Sequence, residues 1–149
     1  LVAAHEIYGG PAMVIDYSTA TTYDVIDAKG VFVTGITAPG IQVCADALIG
    51  STAQLPRVEI KKPKSIVVKN TIGSLQAGIV YGHIGETKYI IEQVKKELNI
   101  PDMKVIATGG LARTMESNEP LFDVVDPLLT LKGLRIIYEK NKKVRSDKK

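Results

Sequence analysis

The apolar patterning of this chain predicts an α/β fold: a mixed sheet with an antiparallel meander and flanking helices. Three observations carry the prediction. Near the start, "AMVIDYS", "ATTYDVIDA" and "VFVTGITA" follow one another across tight turns, the pattern of hairpin-connected strands. From about Asn70 to Leu98, the residues Ile72, Leu75, Ile79, Ile91, Val94 and Leu98 fall at helical spacing, which marks one long amphipathic helix. After that helix, "MKVIATGG" reads as a buried strand ending in a glycine pair, so helices and strands share one layered architecture.

The elements follow in order. "LVAAHEIYG" reads as the last turns of a helix, closed by Gly9-Gly10 and Pro11, residues that stop helices. The three strands come next, with "AKG" as the second turn. In "PGIQVCADALIGSTAQL", Pro39 suits a helix start and Ile41, Ala45 and Leu48 supply an apolar face. "PRVEIKKPKSIVVK", with Pro56 and Pro63, reads as a linker. Asn70 or Thr71 is a natural N-cap for the long helix. Beyond "MKVIATGG", "LARTMES" reads as a short helix, "FDVVDP" as a brief strand and "LLTLKGLRIIYEKN" as a closing helix. The expected order is β-β-β-α-α-β-α-β-α, divided into a helix end at 1–8, a domain at 9–141 and a basic tail at 142–149.

A chain of 149 residues with 45% hydrophobic and 23% charged residues is globular in composition. It holds no run of about 18 apolar residues, so no membrane span is expected. It shows no secretory leader pattern. The single cysteine, Cys44, excludes an internal disulfide framework and suits a reducing, cytoplasmic setting. The net charge of +3 misleads, because "KNKKVRSDKK" alone carries six Lys/Arg against one Asp. The rest of the chain is near neutral, so a nucleic-acid surface is not indicated.

Phosphate-binding glycine motifs of the P-loop and dinucleotide types are absent, and His5 and His83 are far apart in sequence. Chemistry therefore concentrates in three polar clusters on apolar elements. In "VIDYSTATTYDV" a strand delivers Asp16 and hands over to Ser18, Thr19, Thr21 and Thr22. Hydroxyls and backbone N–H groups at such a bend suit phosphate oxygens, while Asp16 suits a cation. The stretch is also compatible with an ordinary Thr-rich hairpin. In "VIATGG", Thr108-Gly109-Gly110 would let a ligand lie on bare backbone at a helix start. In "KNTIGSLQAG", the Thr71 hydroxyl either caps the helix or faces a substrate. Ser74, Gly78, Gly82 and Gly85 line another face of the long helix; such glycines imply close approach by a core element or by a second copy of the helix.

Taken together, "GGPAMVIDYSTATTYDVID", "APGI", "TAQLPRVE", "KNTIGSLQAGIVYG", "KVIATGGLA" and "VDPLLTLKGLRIIYEKN" resemble, in order and spacing, the C-terminal half of type III pantothenate kinases. That family belongs to the actin/sugar-kinase/Hsp70 ATPase superfamily, which implies a ribonuclease H-like (actin-like ATPase) domain. The resemblance implies ATP-dependent phosphorylation of pantothenate to 4'-phosphopantothenate, the first step of coenzyme A synthesis. It implies that Asp16 holds a monovalent cation, potassium or ammonium, and that Thr19, beside Ser18, contacts ATP. It implies further that Gly109 and Gly110 lie on the adenosine side, that Thr71 contacts pantothenate, and that the protein is a homodimer.

Two departures stand out. The family reads Asp-Phe-Gly-Thr where this chain reads Asp16-Tyr17-Ser18-Thr19, so a strained turn is expected if Ser18 must adopt a positive φ. The family's Asp-x-Gly-Asn-Thr loop, through which Mg2+ mainly binds, and its Gly-x-Asp-Arg catalytic base do not occur here. The expectation is a C-terminal domain without its own base, inactive alone. The other readings are a non-catalytic relative acting as a transcriptional accessory factor, and a dimerisation module without a ligand.

Overall fold

The computed structural model describes residues 1–52, 54–116 and 120–146. Helix α1 (Val2–Tyr8) leads into strands β1 (Ala12–Tyr17), β2 (Ala20–Ile26) and β3 (Phe32–Pro39). Helices α2 (Ile41–Gly50) and α3 (Thr71–Glu97) follow, then β4 (Lys104–Thr108), a 3₁₀ turn (Ala112–Met115), β5 (Val124–Val125) and α4 (Leu129–Ser146). The five strands form one sheet in the order β3-β2-β1-β4-β5. β1, β2 and β3 pair antiparallel, and β1–β4 and β4–β5 pair parallel. This is the expected mixed sheet, with an antiparallel meander at β1–β3 and helices beside it.

Strand β1 is central because both of its faces are apolar. Met13, Ile15 and Tyr17 join Tyr23, Val25, Val105 and Ala107 under α2 and α3, through Ile41, Ala45, Val80, Ile91 and Val94. On the opposite face, Ala12, Val14, Ile26 and Ile106 pack with Ala3 and Ala4 of α1 and Leu129 of α4. The period of two along a strand divides these sets. The turn between β2 and β3 is closed by the Asp27 carboxylate, which accepts from the Lys29 and Val31 amides at 2.8 and 2.9 Å.

Several local expectations shift. Pro39 ends β3 instead of opening α2, whose N-cap is Gly40. The buried side of α3 is Gly73, Ala77, Ile79, Val80, Thr87, Ile91 and Val94, whereas Ile72 is 53% exposed. Spacing alone counted Ile72 in because helical periodicity does not say where packing begins. The element after the glycine pair is a four-residue 3₁₀ turn, not an α-helix, and so brings no sizeable helix dipole to the pair. Helix α4 runs to Ser146, so the boundary expected between 141 and 142 falls inside a helix. No described helix is long and apolar enough to cross a membrane.

Candidate functional site at the carboxyl ends of β1 and β4

Open α/β sheets collect ligands outside the carboxyl ends of their parallel strands. Here β1 and β4 run in parallel and end side by side, with Asp16 paired to Thr108. The Ser18-Thr19 hairpin and Gly109-Gly110 leave from those two ends. The tertiary structure thus joins two of the three clusters seen in the sequence.

The hairpin is tight. The Ser18 amide and hydroxyl both donate to the Ala20 carbonyl, at 3.1 and 3.2 Å. Ser18 has no positive φ; among the described residues only Asn99 and glycines do. The strain expected from serine at the family's glycine position is therefore absent. Gly40 holds the turn from behind, since a Cβ there would lie 2.1 Å from the Thr19 carbonyl oxygen and 2.7 Å from that of Ser18. The Thr19 side chain is exposed and its hydroxyl has no protein partner among the described residues.

Gly109 is required twice over. Its φ is 92°, and a Cβ would lie 2.4 Å from the Tyr17 carbonyl oxygen and 2.6 Å from Asp16 Oδ1. Bare backbone at this point lets β4 end against the Asp16 carboxylate. Gly110 has open space around it.

Asp16 faces the α1/α4 side of the sheet. On that side the pattern changes from apolar to polar toward one end. Ala12 and Val14 give way to Asp16, Ile26 to Asp24 and Thr22, and Ile106 to Thr108. These four polar residues and apolar side chains of α1 and α4 line a cavity of about 390 Å³. Burial pushes the Asp16 carboxyl above its ordinary range, and the charge of Asp24 adds to the effect. Thr22 and Thr108 belonged to two separate sequence clusters; Asp24, and the meeting of all three with Asp16, were not anticipated from sequence. The available signal was strand alternation, which puts residues 22 and 24 on one face of β2; the β1–β4 pairing that brings Thr108 in has no local signature.

A second missed feature anchors the hairpin base. Tyr17 Oη and Thr87 Oγ1 lie 2.7 Å apart, Tyr23 Oη lies 3.2 Å from Thr87 Oγ1, and Tyr23 donates to Glu86 at 3.1 Å. Burial pushes both tyrosine hydroxyls well above their usual range. A threonine where the apolar stripe of α3 should continue was the available signal.

Thr71 stands apart. Asn70 is the N-cap, accepting from the Gly73 amide at 2.7 Å, so the Thr71 hydroxyl is not a cap and is exposed in the first turn of α3. Thr87, the α3 residue that meets Tyr17, lies sixteen residues further on, about 24 Å along the helix axis. The structure does not bring Thr71 to the Asp16 cluster. Nothing lies within 4 Å of the Cβ positions of Gly78, Gly82 and Gly85, so no core element fills that face of α3 among the described residues. His83 Nδ1 lies 2.7 Å from the Ile79 carbonyl oxygen within its own helix, and His5 packs on Gly30; neither lines the cavity.

Known proteins share the fold and, in sequence, the family. A solved structure from Campylobacter jejuni, described as a Baf family transcriptional activator, superposes with a TM-score of 0.62 at 22% identity, covering 95% of this chain and 63% of the other. The ethanolamine utilization protein EutJ of Carboxydothermus hydrogenoformans gives 0.54 at 21% identity, covering 89% and 51%. At such identities the likeness shows the fold. In sequence, the chain is 55% identical over 139 residues to the type III pantothenate kinase of Agathobacter rectalis, covering 93% of this chain and 54% of the relative. The chain thus spans about half the length of that relative. The family model for type III pantothenate kinase matches residues 1–93, from α1 through most of α3, and with that match the chain belongs to the type III pantothenate kinase family.

Proposed function

We propose that this chain is the C-terminal, nucleotide-facing domain of a pantothenate kinase that transfers the γ-phosphate of ATP to the primary hydroxyl of pantothenate. The observation that carries the reading is the meeting of Asp16, the Thr19 hairpin and Gly109-Gly110 at one end of β1 and β4. The exposed Thr19 hydroxyl and the hairpin amides supply donors for phosphate oxygens, and the bare backbone at Gly109-Gly110 accommodates the adenosine side. In phosphoryl transfer such groups act mainly by positioning and by neutralising charge.

A monovalent cation fits the donor set around Asp16. Carboxylates and hydroxyls offer oxygen alone, with neither nitrogen nor sulfur, as hard cations require. Bound there, the cation would supply positive charge beside the phosphates. Among the described residues no three His, Cys, Asp or Glu side chains converge on one point. Following the family resemblance, magnesium binding and the base are assigned to an N-terminal half.

Two surfaces support this division. Leu128, Leu131 and Leu134, at the start of α4, are 55%, 62% and 60% exposed, an apolar area suited to cover by another domain. The open glycine face of α3 suits a second copy of that helix, as in a homodimer. Thr71, far along α3, is assigned to pantothenate rather than to the phosphates.

The test compares the 149-residue chain with a version fused to a family N-terminal domain. The isolated chain should show no turnover, and the fusion should phosphorylate pantothenate with dependence on magnesium and a monovalent cation. Robust turnover by the isolated chain would mean that the base has been misplaced. A folded fusion without turnover would favour a non-catalytic family member, for which salt-sensitive DNA binding is the next assay.

A further inference from the structure

The cavity beside Asp16 holds more oxygen donors than the proposed cation role of Asp16 uses. Asp24 lies one strand over, on the same face, diagonal to Asp16 in the β1–β2 register. Such diagonal neighbours have Cβ atoms about 7 Å apart, which leaves room for one ion between two carboxylates. Neither carboxylate has a lysine or arginine partner among the described residues. Thr22 donates to Asp24 Oδ2 at 3.4 Å, a long contact that orients the carboxylate and leaves its other oxygen free.

Thr108 supplies an independent observation. It is 3% exposed, lines the same cavity, and its hydroxyl has no hydrogen-bond partner among the described residues. Its oxygen is not sealed off in the core and opens on the cavity that Asp16 and Asp24 also line. The backbone is cleared on both sides as well. A Cβ on Gly35 would lie 2.7 Å from Asp24 Oδ1, as one on Gly109 would lie 2.6 Å from Asp16 Oδ1. Each carboxylate rests against a glycine where any side chain would displace it.

We infer that Asp24 is a second carboxylate ligand of the cation held by Asp16, with Thr108 completing the oxygen shell and Thr22 orienting Asp24. The inference rests on the cation role proposed for Asp16 and extends it to residues on β2 and β4. Two carboxylates around one ion also give a physical basis for retaining two half-buried, unpaired acids in the cavity.

The experiment uses thallium(I), a potassium-sized ion with its own magnetic resonance signal, titrated into the 149-residue chain at constant ionic strength set by tetramethylammonium. Wild type should bind thallium, and potassium should compete. Asp24→Asn should weaken binding about tenfold, and Thr108→Val, which keeps the side-chain shape, should weaken it less while the circular dichroism spectrum stays native. Asp16→Asn should abolish binding. If Asp16→Asn abolishes binding while Asp24→Asn and Thr108→Val match wild type, the shell proposed here is overturned and the Asp16 reading stands. If wild type does not bind thallium, or Asp16→Asn binds as well as wild type, the Asp16 reading fails and this inference with it. Displacement of thallium by magnesium more readily than by potassium would overturn the monovalent assignment.

Discussion

Replacing Gly40 with alanine should loosen the Ser18-Thr19 hairpin without changing the side chain of any residue proposed to meet a ligand. Gly40 is in extended backbone, with φ −67° and ψ 152°, so alanine costs nothing there in conformation. The cost is steric. A Cβ would lie 2.1 Å from the Thr19 carbonyl oxygen, and that oxygen must retreat by roughly 1.3 Å to reach ordinary contact at 3.4 Å. Overpacking of this kind costs about 1–3 kcal/mol, and alanine is also the poorer N-cap by a few tenths or more. For a domain of this size each kcal/mol lowers Tm by about 2–4 °C, so a fall of about 2–12 °C is expected by calorimetry. Hydrogen exchange should rise at the Ser18 amide, which donates to Ala20. Gly50→Ala, at the other end of α2 with nothing within 4 Å of its Cβ position, is the control and should be neutral or slightly stabilising. A Gly40→Ala protein with the wild-type Tm and unchanged exchange at Ser18 would refute the claim that α2 holds the hairpin.

Thr87→Val removes the hydroxyl shared by Tyr17 and Tyr23; Tyr23 keeps Glu86 but the buried Tyr17 hydroxyl is left unsatisfied, so denaturant unfolding should show a loss of about 1–3 kcal/mol. A change below 0.5 kcal/mol, on the order of a surface substitution, would show that the network does not anchor α3. Asp126 is 5% exposed and binds Lys132, Tyr8 and the Leu128 amide. Burial pushes its carboxyl up, but those three donors outweigh burial and hold it below its ordinary value. Its stabilisation is therefore fully present above the unfolded value of about 3.9 and is lost as pH falls through the lower folded value. Asp126→Asn should lower Tm at neutral pH and flatten the acid limb of the Tm–pH curve; an unchanged acid limb would assign that slope to other carboxylates. In the fused protein, Thr71→Val should raise the KM for pantothenate more than that for ATP and leave Tm unchanged, because Asn70 is the cap. An equal rise in both constants would remove Thr71 from the substrate side.

Much of the fold was legible in local pattern. Apolar runs and alternation marked β1, β2, β3 and β4, and a 3–4 period marked α3, because burial on one or two faces leaves its period in the chain. Asp16, Ser18, Thr19, Gly109 and Gly110 also stood out, each as a polar or bare position at the end of an apolar element. What the sequence could not settle was which of these positions meet. Thr108 reaches Asp16 only because β4 pairs parallel to β1, a contact between residues 92 positions apart in the chain that no local period records. Asp24 joins them because the hairpin register puts it on the face of Asp16 rather than the face of Tyr23, and a slip of one residue would have reversed that. The choice of Asn70 over Thr71 as cap was decided by backbone geometry that both residue types allow. Thr71 is remote from the phosphate hairpin because α3 advances only about 1.5 Å per residue in one fixed direction, and where that direction leads is set by the packing of Thr87 and Ile91 on the sheet.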